Sequence, residues 1–408
     1  MASDIKNIFK KVLKEVVPTE SEKKKLDAVI NFTKTRISKA LSEKKVHANV
    51  VLGGSVAKGT WLHNNCDVDF FIKFDQKYEK EDIGKLLGKV IKYVFKGIKT
   101  VHGTRDYYQV NIKGYNLEIV PVLAVKHPKD AKNSMDASPF HVKYIKEKIE
   151  AHPGIANEIR LLKTFAYAQN TYGAETFISG FSGYVIELLM VHYGSFSKLV
   201  ESWDNIKPKI YIDIEKHFEN LSEAEKLLSK SKTSSPIILI DPVLKERNAC
   251  AALDERTFAR MLFAIRMFKR KPIIDFFKQK KVKTKTRGTV IATYKLDKSM
   301  LENDVYMAKV KSALASAVRR LERSKILVYG YGFTDSTAFI EIETLKLSKY
   351  RKHKGPAVWI NPDFFDKFVK KWKSSYVQGT DIVVDVKREF SDIKSYALKI
   401  IKEEMKNV

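Results

Sequence analysis

A glycine-rich turn feeding a strand that carries two acids constrains this chain more than any other segment. Residues 52–60 read Leu-Gly-Gly-Ser-Val-Ala-Lys-Gly-Thr, and residues 66–74 read Cys-Asp-Val-Asp-Phe-Phe-Ile-Lys-Phe. Strand side chains alternate faces, so Asp67 and Asp69 point one way while Val68, Phe70, Ile72 and Phe74 point into a core. Two carboxylates side by side repel each other unless a cation sits between them. Oxygen ligands at this spacing suit magnesium, and the glycine turn leaves backbone N–H groups free for phosphate. The pattern implies metal-assisted nucleotidyl transfer, for which two Mg²⁺ ions are expected, one at the attacking hydroxyl and one at the triphosphate.

Such a site needs a third acid. Glu118 is the best candidate, an isolated carboxylate in the apolar strand Leu117-Glu118-Ile119-Val120-Pro121-Val122, where an unpaired charge is expensive. Ser55 can offer its hydroxyl to a phosphate oxygen. Lys58 adds charge on the first turn of the helix that the Gly53-Gly54-Ser55 turn opens, whose N-terminus favours anions. The sequence therefore predicts Asp67, Asp69 and Glu118 as metal ligands and Gly54, Ser55 and Lys58 at the phosphates.

Charge points to the partner. The 408 residues carry 75 Lys and Arg against 48 Asp and Glu, a net +27. Residues 1–150 hold 29 basic and 18 acidic side chains, residues 151–260 hold 13 and 14, and residues 261–408 hold 33 and 16. An excess concentrated at both ends favours a polyanion, nucleic acid first. Two cysteines, Cys66 and Cys250, give neither a disulfide framework nor a zinc spacing, which fits a reducing cytosol. The stripe Ile5, Ile8, Val12, Val16 reads as a helix and not as a signal peptide. The most apolar run, Phe177 to Tyr193, is broken by Glu187 and too short for a bilayer. A soluble, cytoplasmic protein with no membrane partner is expected.

The periodicities predict an α+β chain of several domains. Pro18 closes the first helix, and Thr19 with Glu22 caps a second. Strands follow at 47–52 and 67–74, a helix at 81–95, and a hairpin of 107–112 with 116–122 turning at Lys113-Gly114. Helices at 155–169 and 182–193 come next, then a polar linker at 231–235, a strand at 236–242 and a helix at 253–268. The basic run Lys269 to Arg287 marks a boundary. Beyond it lie a strand (289–296), a helix (304–324) and two strands (326–333, 338–345). Phe364, Phe368 and Trp372 recur every four residues, as on the core face of a helix with basic outer residues. The implied division is a catalytic head over 1–150, a mostly helical central domain over 151–270, and a basic body and tail over 271–408.

Gly-Gly-Ser-x-x-x-Gly-Thr followed by Asp-Val-Asp resembles the polymerase-beta nucleotidyltransferase superfamily. Downstream segments narrow the likeness: Ala137-Ser138-Pro139-Phe140-His141, Asn157 to Lys163, Tyr172-Gly173-Ala174-Glu175, Gly180 to Tyr184, Tyr193 to Phe196, and Asp241-Pro242-Val243 continuing to Arg247-Asn248. These resemble the archaeal, class I tRNA CCA-adding enzymes, densely over residues 50–275 and more thinly to Gly288-Thr289-Val290 and beyond. The resemblance implies a polymerase-beta-like nucleotidyltransferase head, a helical central domain that binds the nucleotide base, and an α/β RNA-binding body and tail. It implies tRNA, CTP and ATP as partners and leaves room for a homodimer. It brings Arg160, Lys163 and Tyr172 to the phosphates, His141 to the sugar or base, and Arg247 to the base edge. One departure is visible: the family's usual Glu, Asp and Asp at the metal positions are here Asp67, Asp69 and Glu118. A poly(A) polymerase, an oligoadenylate synthase, or a non-catalytic RNA-binding protein on the same scaffold remain the alternatives.

Overall fold

The computed structural model describes residues 2–102, 105–279, 289–301, 303–334, 336–343, 346–359, 362–406 and 408. They fall into two compact units, Met1–Lys280 and Lys281–Val408. Residues 280–287 of the basic run, Gly288 after it, and the strand end expected at 344–345 lie outside the described residues.

In the first unit, α1 (Ala2–Val16) and α2 (Glu20–Glu43) precede β1 (Ala48–Leu52), the single-turn α3 (Gly54–Lys58) and β2 (Asp67–Phe74). Helix α4 (Ile83–Val94) leads to β3 (Lys99–Val101), β4 (Tyr107–Ile112) and β5 (Tyr115–Leu123). Local chemistry explains these boundaries. Thr19 Oγ1 accepts from Glu22 N at 3.2 Å while Glu22 Oε2 accepts from Thr19 N at 2.9 Å, closing the expected capping box. Lys113 (φ 52°) and Gly114 (φ 87°) both take left-handed backbone, as a tight hairpin turn between β4 and β5 requires. The five strands pair in the order β1-β2-β5-β4-β3, and only β2 and β5 run parallel. The core under this sheet contains Val68, Phe70, Ile72, Phe74, Leu87, Ile91, Leu117 and Ile119. Each fully buried phenylalanine there contributes about 2–3 kcal/mol.

A second core follows, formed by α5 (Ser134–Ala151), α6 (Ile155–Ala168), α7 (Gly183–Tyr193), α8 (Phe196–Ser202) and, further along, α11 (Glu255–Arg270). Val12 of α1 is buried in it, with Ile8 packed against it, so the first helix serves these helices and not the sheet. Between α8 and α11 run β6 (Ile210–Asp213), α9 (Leu221–Leu227), α10 (Lys230–Thr233) and β7 (Ile237–Ile240), with β6 and β7 paired in parallel. The stretch 231–235, expected as a polar linker, is not one. Residues 230–233 are helical and Thr233 and Ser235 are buried. Asn248 Nδ2 donates to Lys232 O at 2.8 Å and Lys209 Nζ to Thr233 O at 2.7 Å. Hydrogen bonds from distant residues let a linker-like composition fold into the body.

The second unit begins with β8 (Val290–Lys295), α12 (Asp304–Arg323), β9 (Val328–Thr334) and β10 (Thr337–Ile342), giving a sheet in the order β8-β10-β9. A further sheet pairs β11 (Tyr350–Ala357), β13 (Asp381–Lys387) and β12 (Tyr376–Gln378) in that order, with α13 (Pro362–Lys371) beside β11 and α14 (Ile393–Met405) against α12 and β8. The core face expected for α13 is only partly realised. Phe368 stacks with His353 at 5.8 Å and Trp372 lies 5.5 Å from the same ring, but Phe364 is 59 % exposed. A three-stranded sheet is too narrow to cover a third ring one turn further along.

Candidate active site

Strand pairing builds the centre of the site. The parallel register of β2 and β5 sets Asp69 directly opposite Glu118. Alternation then leaves Val68, Phe70 and Leu117 in the core and both acids on the other face. Asp69 is half-buried. Burial, then the charge of Glu118, pushes its carboxyl up to about 7. Burial likewise raises Glu118, although Gln109 Nε2 donates to it at 2.8 Å. Asp67 lies two residues earlier, at the exposed start of β2.

The glycine turn is shaped by this carboxylate. Gly54 has φ +59°, and a Cβ there would fall 1.5 Å from Asp69 Oδ2. Gly53 N donates to Asp69 O at 2.7 Å, which ties the turn to the strand. Only glycine satisfies both the backbone angle and the close approach. Ser55 follows in the single turn of α3, half-exposed, its carbonyl accepting from Thr60 N at 2.9 Å.

Lysines converge beside the turn. Lys58 Nζ lies 2.6 Å from Glu187 Oε2, and Thr60 Oγ1 donates to Glu187 Oε1 at 2.8 Å. Lys163 Nζ reaches Thr60 O at 3.5 Å and stands 5.7 Å from the centre of the Tyr172 ring. Burial pulls the Lys163 ammonium down to about 8, against the pull of Glu187. Tyr172 stacks on Tyr167 with ring centres 4.0 Å apart, and burial raises both phenols. The Tyr172 loop is pinned by Phe181 N donating to Thr171 O at 2.8 Å. Arg160, expected at the phosphates, instead directs its guanidinium to the carbonyls of Trp61 (3.1 Å) and Gly59 and to Asn157 Oδ1 (2.9 Å). In this arrangement it clamps the segment after α3.

A second cluster gathers His141 and Arg247 around Asp241. Asp241 accepts from Arg247 Nη1 at 2.6 Å, from Tyr184 Oη at 3.1 Å and from Val243 N at 2.9 Å. His141 Nε2 stands 3.0 Å from Asp241 Oδ2, out of line for a hydrogen bond, and its ring lies 4.4 Å from that of Tyr184. Burial alone would raise Asp241, but His141, Arg247 and the Val243 N–H hold it down at about 2. Tyr184 and Glu187 are three residues apart on α7, so one helical turn serves both clusters.

Glu187 and Asp241 contribute to these clusters although neither is among the residues the sequence marks for the site. Glu187 bore the same mark that singled out Glu118, an acid inside an apolar run. Asp241 stands in the sequence only as part of a motif, and its role at the centre of this cluster depends on the fold.

Among the described residues no three acidic, histidine or cysteine side chains form a ready-made metal cage. The donor chemistry nevertheless fits a hard divalent cation, since the candidate ligands are carboxylate oxygens and Asp69 and Glu118 stand opposite each other, the charge of Glu118 raising Asp69.

Unmatched carboxylates beside a turn that only glycine can make, with lysines converging on it, belong to the nucleotidyltransferase class, and the fold agrees. Residues 4–137 match the Second Messenger Oligonucleotide or Dinucleotide Synthetase domain, residues 157–278 the second domain of tRNA nucleotidyltransferase, and residues 287–407 the C-terminal domain of the CCA-adding enzyme. The CCA-adding enzyme of Nanoarchaeum equitans is 33% identical over 95% of this chain and 96% of its own length. Those of Saccharolobus islandicus and Thermoplasma volcanium are 30% and 28% identical, over 97% and 98% of this chain and 92% of each relative. The chain belongs to the CCA-adding enzyme family. Two solved structures share the fold: the Cid1 poly(U) polymerase (TM-score 0.54, 11% identity, 68% of this chain and 99% of that one) and a cytoplasmic RNA terminal U-transferase (TM-score 0.52, 13%, 69% and 100%). Among the described residues no helix is long and apolar enough to cross a membrane.

Proposed function

We propose that this enzyme adds C, C and A in turn to the 3′ end of tRNA, using CTP and ATP and releasing pyrophosphate. The observation that carries the reading is the register of β2 and β5, which sets Asp69 against Glu118 beside Gly54. Asp67, Asp69 and Glu118 would hold two Mg²⁺ ions, which when bound neutralise the triphosphate and acidify the attacking hydroxyl. Gly54 and Ser55 offer backbone and hydroxyl groups to the phosphates, and Lys58, Lys163 and Tyr172 line the same side. Arg247, held by Asp241, presents a fixed fork of donors to a base edge, with His141 and Tyr184 beside it. Arg160 contributes by fixing residues 59–61. The head (1–150) and the central helices (151–270) carry this chemistry. The basic residues of 271–408 grip tRNA through its backbone, since every tRNA must be accepted.

The test is incorporation of labelled CTP and ATP into tRNA that ends before CCA. Ordered C, C, A addition followed by a stop is expected. A long A tail, or oligoadenylate made without tRNA, would replace this reading with one of the other polymerases of the superfamily.

A further inference from the structure

We propose that Glu187 is the positioning residue that aims Lys58 at the nucleotide's triphosphate, acting from α7 on the turn that follows β1. The proposal rests on the reading that Lys58 meets phosphate. Glu187 is 1 % exposed, and a carboxylate buried without partners in an apolar helix would be very costly. Both of its oxygens are used, one by Lys58 Nζ at 2.6 Å and the other by Thr60 Oγ1 at 2.8 Å.

A purely structural salt bridge could sit anywhere in a core. This one is tied to the site by what Lys58 is and where it stands. Lys58 ends α3, a helix of one turn that begins at Gly54, the residue pressed against Asp69. A lysine ammonium is a point charge on a flexible four-carbon stem, so so short a helix cannot by itself fix its direction. Glu187 supplies that direction, while Arg160 holds the carbonyls of Gly59 and Trp61 from α6. Lys163 reaches Thr60 O from α6 as well, the residue whose hydroxyl anchors Glu187, and the charge of Glu187 acts on its ammonium. The field of Asp69 also reaches both lysines, and burial together with Glu187 sets the state of Lys163.

The experiment compares binding of CTP and of cytidine, in the presence of Mg²⁺, to the full-length enzyme and to Glu187→Gln, Lys58→Gln and the double variant. If Glu187 acts through Lys58, each single change weakens CTP about tenfold, leaves cytidine unchanged, and the double variant is no weaker than Lys58→Gln alone. Additive losses, an equal loss of cytidine, or Glu187→Gln binding CTP like the parent would each overturn the proposal. If Lys58→Gln itself binds CTP normally, the phosphate role of Lys58 falls first and the proposal with it. Should Glu187→Gln fail to fold by circular dichroism, Thr60→Val decides, because it removes only the hydroxyl that anchors Glu187. A CTP-selective loss of about threefold, absent in the Lys58→Gln background, supports the proposal, and no loss overturns it.

Discussion

Two acids in the first unit sit at opposite ends of the same scale. Asp241 is fully buried yet held at about 2, because His141, Arg247 and the Val243 N–H outweigh its burial. Asp69 is pushed up to about 7, first by burial and then by the charge of Glu118 across the strands, which Lys58 and Lys163 do not offset. Burial pushes both carboxyls up, and what differs is whether partners of opposite charge and hydrogen-bond donors outweigh it. The matched acid is an internal fixture that orients Arg247, Tyr184 and the backbone at 243. The unmatched pair is where the proposed cation would supply the missing counter-charge. Glu187 sides with Asp241, since both of its oxygens are occupied.

Removing each acid should break the comparison in a different currency. Asp69→Ala should lower nucleotide incorporation by about 10³-fold or more, with tRNA binding retained in a filter or mobility assay, because electrostatic positioning carries most of the catalysis. Wild-type incorporation by this variant would remove Asp69 from the mechanism. Gly54→Ala forces a Cβ onto Asp69 Oδ2 and a methyl onto left-handed backbone. Displacing that carboxylate by an ångström should cost incorporation about 10²-fold, and a loss below about threefold would mean that the turn is not what places Asp69. Asp241→Asn keeps the shape and discards the charge that Arg247 and His141 share. It should lower the stability of the first unit by about 2–3 kcal/mol, read as a shift in urea midpoint, and loosen the choice of base. The sign against pH follows from the depressed carboxyl: its contribution is present above the ordinary 3.8 and is lost as pH falls through about 2.

How much of this could be read from the chain depended on how far away each partner lay. Asp67, Asp69, Glu118 and the Gly53-Gly54 turn were legible because strand alternation and glycine geometry are local rules. The boundaries of β2 and the turn of the β4–β5 hairpin were legible for the same reason. In the sequence Glu187 only breaks an apolar run and argues against a membrane span, since its partners lie 129 and 127 residues away. Only the resemblance implies a phosphate role for Arg160, and nothing local foretells the carbonyls it holds, about a hundred residues upstream. In the second unit, β11 begins Tyr-Arg-Lys-His-Lys with these first five residues all exposed, so no alternation marks it as a strand. Its pairing with β13 comes from backbone ladders that carry no side-chain signature.

The smallest expected effect sharpens the comparison most, because its sign is opposite to that of Asp241→Asn. Asp69 has a folded-state carboxyl raised from 3.8 to about 7, so the folded protein binds a proton that the unfolded chain releases between those values. Its favourable contribution is complete below about 3.8 and is lost as pH rises through about 7, the reverse of Asp241. Asparagine at position 69 keeps the neutral, protonated shape at every pH. Asp69→Asn should therefore raise the stability of the metal-free first unit at pH 8. The full shift would correspond to about 4 kcal/mol, and solvent contact at this half-buried group reduces the expectation to about 1–3 kcal/mol. The gain should vanish near pH 4. Added Mg²⁺ should shrink it at pH 8, because the ion supplies to the parent protein the counter-charge that the variant no longer needs. Melting curves of the two proteins at pH 4 and 8, with Mg²⁺ or with a chelator, measure all three effects. Equal melting temperatures at pH 8 without metal would mean that Asp69 is as well matched as Asp241, and the distinction between a fixture and a waiting cation site would collapse.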